Sequence, residues 1–266
     1  MIALTADTQV TWEKLPDDFV LPDDPVDNIN QPLVAMALTD SLGVAGKLSQ
    51  TTLTPTNYAI CATLDGKFVV KAPDWAFIRE ICVSRQEIDR SYTPHLQGEI
   101  PSIVMEFLSA TDGGEYSTKP TYPPGKWFFY EEILQVPYYV IFDPDNGGVE
   151  VYRRNESGNY KLQTCDESGR FPIASMELSL GVWEGTRDNR TGYWLRWWDN
   201  EGNLLLWGSE LAEAERTRAE AERTRAEEAE SALQVERVRA QQAESELELL
   251  RQRLREAQID PNLPPE

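Results

Sequence analysis

The hydrophobic period switches repeatedly along the chain, and each switch predicts an element. In QPLVAMALTDSLGVAG the apolar residues Leu33, Val34, Ala37, Leu38 and Leu42 recur at helical spacing, and the run closes on Gly43 and Gly46. A helix of about three turns is expected there. From Asn57 the pattern becomes YAICATLDGKFVVKAPDWAFI, with β-branched and aromatic residues on both sides of Asp65-Gly66, a pair suited to tight hairpins. Two strands follow, with Pro73-Asp74 expected at the end of the second. IPSIVMEFLSA (100–110) is an apolar run broken only by Glu106 and reads as a buried strand. KWFFYEEILQV (126–136) has helical spacing on Trp127, Tyr130, Ile133 and Leu134, and PYYVIFDP (137–144) reads as another buried strand. Strand, strand, helix, strand predicts an α/β fold with a mixed sheet flanked by helices. VEVYRR, NYKLQT, MELSLGVW and YWLRWWDNEGNLLLW, separated by Asp, Asn and Gly turns, add hairpins that complete or flank that sheet and end the domain near Gly208.

The two ends read differently. Residues 12–28 carry three prolines and repeated Asp, so residues 1–30 are expected to form an extended arm lying on a domain of residues 31–208. At the other end AEAERTR (212–218) repeats as AEAERTR (219–225), and seven residues is the coiled-coil period. In that frame one seam position holds Ala226, Leu233, Ala240, Leu247 and Leu254, and its partner position holds Ala229, Glu236, Ala243, Leu250 and Ala257. Residues 209–259 are therefore expected to be a coiled-coil-prone helix that joins copies of the chain, strongest near Leu247–Leu254 and stopped by Pro261, with 260–266 a disordered tail. A solvated single helix held by Glu/Arg pairs is the alternative for the same segment.

Composition narrows the choice of partner. The 266 residues carry 45 acids and 25 bases, a net charge of −20, and 41% are hydrophobic, enough for an ordinary core. Residues 1–209 alone hold 30 acids and 16 bases. This counts against a general phosphate-tracking surface but leaves room for a local basic site. No window approaches the length of a membrane span, and no basic stretch precedes an apolar run at the N-terminus. Cys61, Cys82 and Cys165 are far apart and form no CxxC pair, which fits a reduced cytoplasm and no thiolate metal site. The sole histidine, His95, lies in a turn-rich stretch and suits a surface role better than catalysis.

An acid inside an apolar strand is costly unless it is paired or binds a cation, so Glu106 is the first residue to question; a strand-edge carboxylate facing water is its bland reading. Asp74 could reach the same sheet edge. Two carboxylates meeting there suit Mg²⁺, which takes few protein oxygens and keeps several waters. With an ammonium nearby, such a constellation performs metal-assisted phosphodiester hydrolysis.

The stretches WEKLPDDFVLPDDPVDNINQP, TNYAICA, FVVKAPDW, IVMEFLSA and KWFFYEEILQVPYYVIFDP, in this order, resemble the Uma-type family of restriction endonucleases within the PD-(D/E)XK nuclease superfamily. The resemblance covers most of residues 10–165, and the heptad tail also looks like tails attached to some members. It implies a restriction-endonuclease-like core that cleaves DNA with Mg²⁺, Mn²⁺ being the alternative ion. By the same resemblance Asp74 and Glu106 are the metal-binding carboxylates and the backbone carbonyl of Phe107 a further ligand. The superfamily lysine two residues after the glutamate is missing, because Leu108 stands there. The family instead carries a lysine on the following helix, four residues before a tyrosine, which corresponds to Lys126 and Tyr130, with Lys119 as the nearby alternative. The early acidic segment of many members is absent, and Gln135 stands where a glycine is usual.

The rival reading is a catalytically inactive nuclease-fold head that binds a protein partner and is displayed on a coiled coil. Lys126 discriminates between the two. Trp194, Trp197, Trp198 and Trp207 could stack on bases, although packing within the sheet suits their alternation better. Lys67, Lys71, Arg153, Arg154 and Lys161 are the candidate phosphate contacts.

Overall fold

A computed structural model describes residues 8–21, 28–109 and 114–256. Part of the N-terminal arm and everything expected beyond Glu256, including the helix stop at Pro261, lie outside these residues. The chain divides into two units, residues 1–208 and residues from Ser209 onward.

The first unit opens with a short strand, β1 (Val10–Thr11), and helix α1 (Asn30–Val44). The arm therefore contributes a strand, since β1 pairs antiparallel with β2 (Ile60–Leu64). The hairpin of β2 and β3 (Lys67–Lys71) turns at Asp65 and Gly66, whose φ values of 46° and 75° are the left-handed pair that a two-residue turn requires. As the sequence predicts, Pro73-Asp74 follows the end of the second strand, which stops at Lys71. Proline cannot donate to a ladder, and past Lys71 the chain leaves the β1-β2-β3 sheet; Asp74 opens β4 (Trp75–Phe77) in a different sheet.

That second sheet is the centre of the domain. Its order is β4, β5 (Ile103–Phe107), β6 (Tyr138–Phe142), β7 (Val149–Arg154) and β8 (Tyr160–Leu162), with β5 and β6 parallel and the other pairs antiparallel. A parallel pair needs a long crossover, here residues 108–137, which contain α2 (Lys126–Phe128) continuing as a π-helical turn, Phe129–Ile133. The single helix expected over 126–136 is thus one α-turn followed by a wider one. It ends with Gln135 at φ 58°, a left-handed conformation that explains why glycine suits this position.

Both faces of the central sheet are covered, so its strands read as continuous apolar runs. Trp75, Phe77, Ile103, Met105, Tyr138 and Val140 face one layer, made by α1 through Val34, Leu38 and Leu42 and by the sheet of β9 (Arg170–Ile173), β10 (Leu178–Arg187) and β11 (Arg190–Trp198). Ala76, Val104, Tyr139 and Ile141 face the other, made by Ile60, Ala62 and Val69 of the hairpin and Phe129, Tyr130 and Ile133 of the crossover. Trp194, Trp197 and Trp207 are at most 1% exposed and Trp198 only 8%, which removes them as base-stacking platforms. Their rings pack instead with Trp75 and Trp183 and with the guanidinium of Arg196.

The second unit is one helix, α3 (Gly208–Glu256), 49 residues long and without a buried residue. At 1.5 Å per residue it spans about 73 Å. Arg218–Glu222 and Arg223–Glu227 ion pairs at 3.1 and 2.8 Å brace its surface, while Leu233, Leu247 and Leu250 remain about half exposed along one side. Among the described residues no helix is long and apolar enough to cross a membrane.

Candidate active site

Strand alternation decides what Glu106 meets. On β5 the residues Ile103, Met105 and Phe107 point toward α1, so Glu106 points to the opposite layer, under the crossover. It is fully buried, not facing water. Both of its oxygens have partners: the Tyr130 hydroxyl donates to Oε1 at 2.9 Å and the Lys126 ammonium to Oε2 at 3.0 Å. Lys126 and Tyr130 are four residues apart, and one turn of helix places both side chains over the same carboxylate. Lys126 also reaches Glu115 Oε1 at 3.5 Å, and the carbonyl of Glu115 is held by the Tyr139 hydroxyl at 2.8 Å.

Sheet register delivers Asp74. Because Trp75 pairs with Met105 across the antiparallel β4–β5 ladder, the residue before Trp75 arrives beside Glu106. Asp74 Oδ2 accepts the backbone N–H of Phe107 at 2.6 Å. The carbonyl of Phe107 accepts the side-chain amide of Gln31, from the first turn of α1, at 2.6 Å. Four segments distant in sequence thus converge at one end of the sheet.

The site gathers the buried carboxylates of Asp74, Glu106 and Glu115 around the ammonium of Lys126. Burial pushes Glu106 up to about 8, reinforced by Asp74 and opposed by Lys126. Burial likewise raises Asp74 to about 6, with Glu115 adding to the shift and the Phe107 N–H and Lys126 working against it. Burial disfavours the Lys126 ammonium, yet Glu106, Glu115 and Asp74 outweigh it and hold that proton more tightly than usual.

The remaining sequence candidates fall in different places. Lys119 is exposed and makes no ion pair with Glu106 or Glu115; its carbonyl accepts the Gly125 N–H at 2.9 Å. His95 is an exposed turn residue at φ 65° whose ring lies tilted against Trp12. Lys67 lies over the Tyr122 ring, Arg153 over Tyr138, and Arg154 donates to the carbonyl of Glu131. Glu115 and Gln31 escaped sequence reasoning because neither breaks a hydrophobic pattern: one sits in a polar turn, the other opens an amphipathic helix. The early side chain that reaches the site is accordingly a neutral amide.

The family model described as "Uma2: Putative restriction endonuclease" matches residues 48–188, just over half of the chain and the whole span from β2 to the end of the crossover and beyond. The chain belongs to the Uma2 family. The matched span contains Asp74, Glu106, Glu115, Lys126 and Tyr130, whereas Gln31 and α3 lie outside it. Among solved structures, a "putative nuclease belonging to DUF820" from Anabaena variabilis matches at 14% identity over 60% of this chain and 80% of the other, with a TM-score of 0.33. No curated protein matches. As a Uma2 chain it is a member of a nuclease family with a mixed α/β fold.

Proposed function

We propose that this Uma2 protein is a metal-dependent endodeoxyribonuclease that hydrolyses DNA phosphodiester bonds. The observation carrying the reading is a fully buried glutamate with a lysine ammonium at 3.0 Å and an aspartate brought beside it by sheet register. The rival head-only reading expects Lys126 turned away from the carboxylates; its contact with Glu106 supports the nuclease instead.

The donor set fits Mg²⁺. Asp74, Glu106 and the Phe107 carbonyl are hard oxygens, and Lys126 stands on Glu106 as one positive charge against a pair of raised carboxylates. Among the described residues no three His, Cys, Asp or Glu side chains form a metal-holding group, so water would complete the shell of an ion that tolerates few protein ligands. Mn²⁺ suits the same oxygens. When bound, such an ion supplies positive charge to the phosphoryl oxygens and an acidified water.

The chain's own residues do the rest. Lys126 keeps its proton, so it serves as a hydrogen-bond donor to the phosphoryl oxygen that gains charge and not as a base. Water adds to phosphorus as the bond to the leaving sugar oxygen breaks; one water proton passes to solvent and the leaving oxygen takes one from solvent, giving a phosphomonoester and a sugar hydroxyl. Tyr130 holds Glu106 in its rotamer, and Glu115 would keep Lys126 in the site with Glu106 engaged by a cation.

The chain assembles through α3, where Leu233, Leu247, Leu250 and Leu254 form the contact with a second copy, and a reducing cytoplasm suits its three free cysteines. Incubation with supercoiled DNA and Mg²⁺ or Mn²⁺ tests the reading: nicking that stops with chelator is expected, and a folded chain that binds the metal but never cuts DNA or RNA would hand the case to the interaction head.

A further inference from the structure

Strand β3 carries a lysine that the chemistry above does not use. Its alternation places Lys67, Val69 and Lys71 on one face, and pairing of Lys67 with Leu64, Val69 with Ala62 and Lys71 with Ile60 puts that face with buried Leu64, Ala62 and Ile60, the layer under the crossover. Lys67 and Lys71 lie about 13 Å apart along the strand. The first is occupied, resting over the Tyr122 ring. The second is half-buried and points toward the site, where it feels the charges of Lys126, Glu106 and Lys119. Its ammonium has no hydrogen bond, ion pair or aromatic ring among the described residues.

A lysine in that position is costly. Its flexible stem would normally carry the ammonium out to water, and Glu106, the carboxylate whose charge it feels, is already taken by Lys126 and Tyr130. Burial and then the like charge of Lys126 both work against the protonated form. What relieves both is an anion placed between ammonium groups from two different elements. A phosphodiester is such an anion, and the chain's excess of acids leaves few other places to hold one.

We infer that Lys71 is a second phosphate-binding residue of this site, gripping the DNA backbone from β3 while Lys126 serves the reacting phosphate from α2. Lys119, exposed and close enough for its charge to act on Lys71, extends the same grip. The inference rests on the nuclease reading.

The test is the salt dependence of binding to a short DNA duplex, measured by fluorescence anisotropy in chelator so that no cleavage intervenes. Each phosphate contact contributes about 0.9 to the slope of log K against log salt. Lys71→Met should make the slope shallower by about 0.9, and Lys71→Arg should restore it. Lys47→Met, beyond the end of α1 opposite Gln31, should leave it unchanged. In the unmodified chain, bound DNA should protect the Lys71 amine from acetylation, a readout that needs no variant to fold. An unchanged slope in Lys71→Met, or equal acetylation with and without DNA, overturns the role of Lys71 while leaving the nuclease reading intact. A parent chain that binds no DNA at any salt concentration overturns both.

Discussion

Replacing Glu106 by Gln removes a fully buried ionisable group from the middle of the site. An ordinary glutamate ionises near 4.5, whereas burial pushes Glu106 up to about 8. A raised carboxyl value means that the folded chain keeps a proton the unfolded chain gives up. Its contribution to stability is therefore intact below pH 4.5, falls as pH rises, and levels off above about 8. Each pH unit in that window costs about 1.4 kcal/mol, so the unliganded parent forfeits about 3 kcal/mol by pH 7. Glutamine does not titrate, and Lys126 stays protonated in both chains, so its lost partner adds an offset that hardly varies with pH. The gap in unfolding free energy between Glu106→Gln and parent should widen by about 3 kcal/mol from pH 4.5 to 7. Urea unfolding followed by tryptophan fluorescence in chelator, at pH 4.5, 5.5, 6.5 and 7.5, reads it directly. Added Mg²⁺ should narrow the gap, because an ion that binds only the folded parent stabilises it by mass action. A gap that stays flat to within about 0.5 kcal/mol would refute the claim that burial makes the folded chain hold the Glu106 proton well above the usual carboxylate range.

Two further outcomes are expected. Gln31→Ala leaves the buried carbonyl of Phe107 without its donor and should destabilise the domain by about 1–3 kcal/mol in urea unfolding, with weaker Mg²⁺ binding by calorimetry; unchanged stability would mean the contact is unimportant. Leu247→Ala with Leu250→Ala removes the largest side chains of the α3 seam and should weaken self-association at least tenfold in sedimentation equilibrium, whereas a parent chain that is monomeric at high micromolar concentration would dismiss the seam.

The elements that were legible in the sequence are those whose pattern is local. The Asp65-Gly66 turn, the apolar run of β5 and the heptads of α3 each follow from neighbours within a few residues. Glu106 drew notice because a charge in an apolar strand needs a reason. The sheet to which Asp74 belongs was not legible, since the local pattern ends a strand at Pro73-Asp74 without saying which partner the next residues join, and only the Trp75–Met105 register places them. The π-turn after Phe128 was hidden for a similar reason: α- and π-turns present the same run of aromatic residues, and the choice is made by packing Phe129, Tyr130 and Ile133 against the hairpin. Glu115 and Gln31 reach the site only through tertiary folding. The tryptophans illustrate the converse, where a feature with two chemical meanings at the level of sequence keeps one once burial is known.

The central claim is that Asp74, Glu106 and Lys126 act as one catalytic unit. Its most direct test compares initial rates of Mg²⁺-dependent cleavage of supercoiled DNA by the parent chain, Asp74→Asn, Glu106→Gln, Lys126→Met and the remote Lys47→Met, each checked for folding by circular dichroism. The three site variants should fall at least about a hundredfold, the scale of losing a group that stabilises transition-state charge, while Lys47→Met keeps the parent rate. Cleavage that persists at the parent rate in Asp74→Asn and Glu106→Gln would contradict the account and place the chemistry elsewhere.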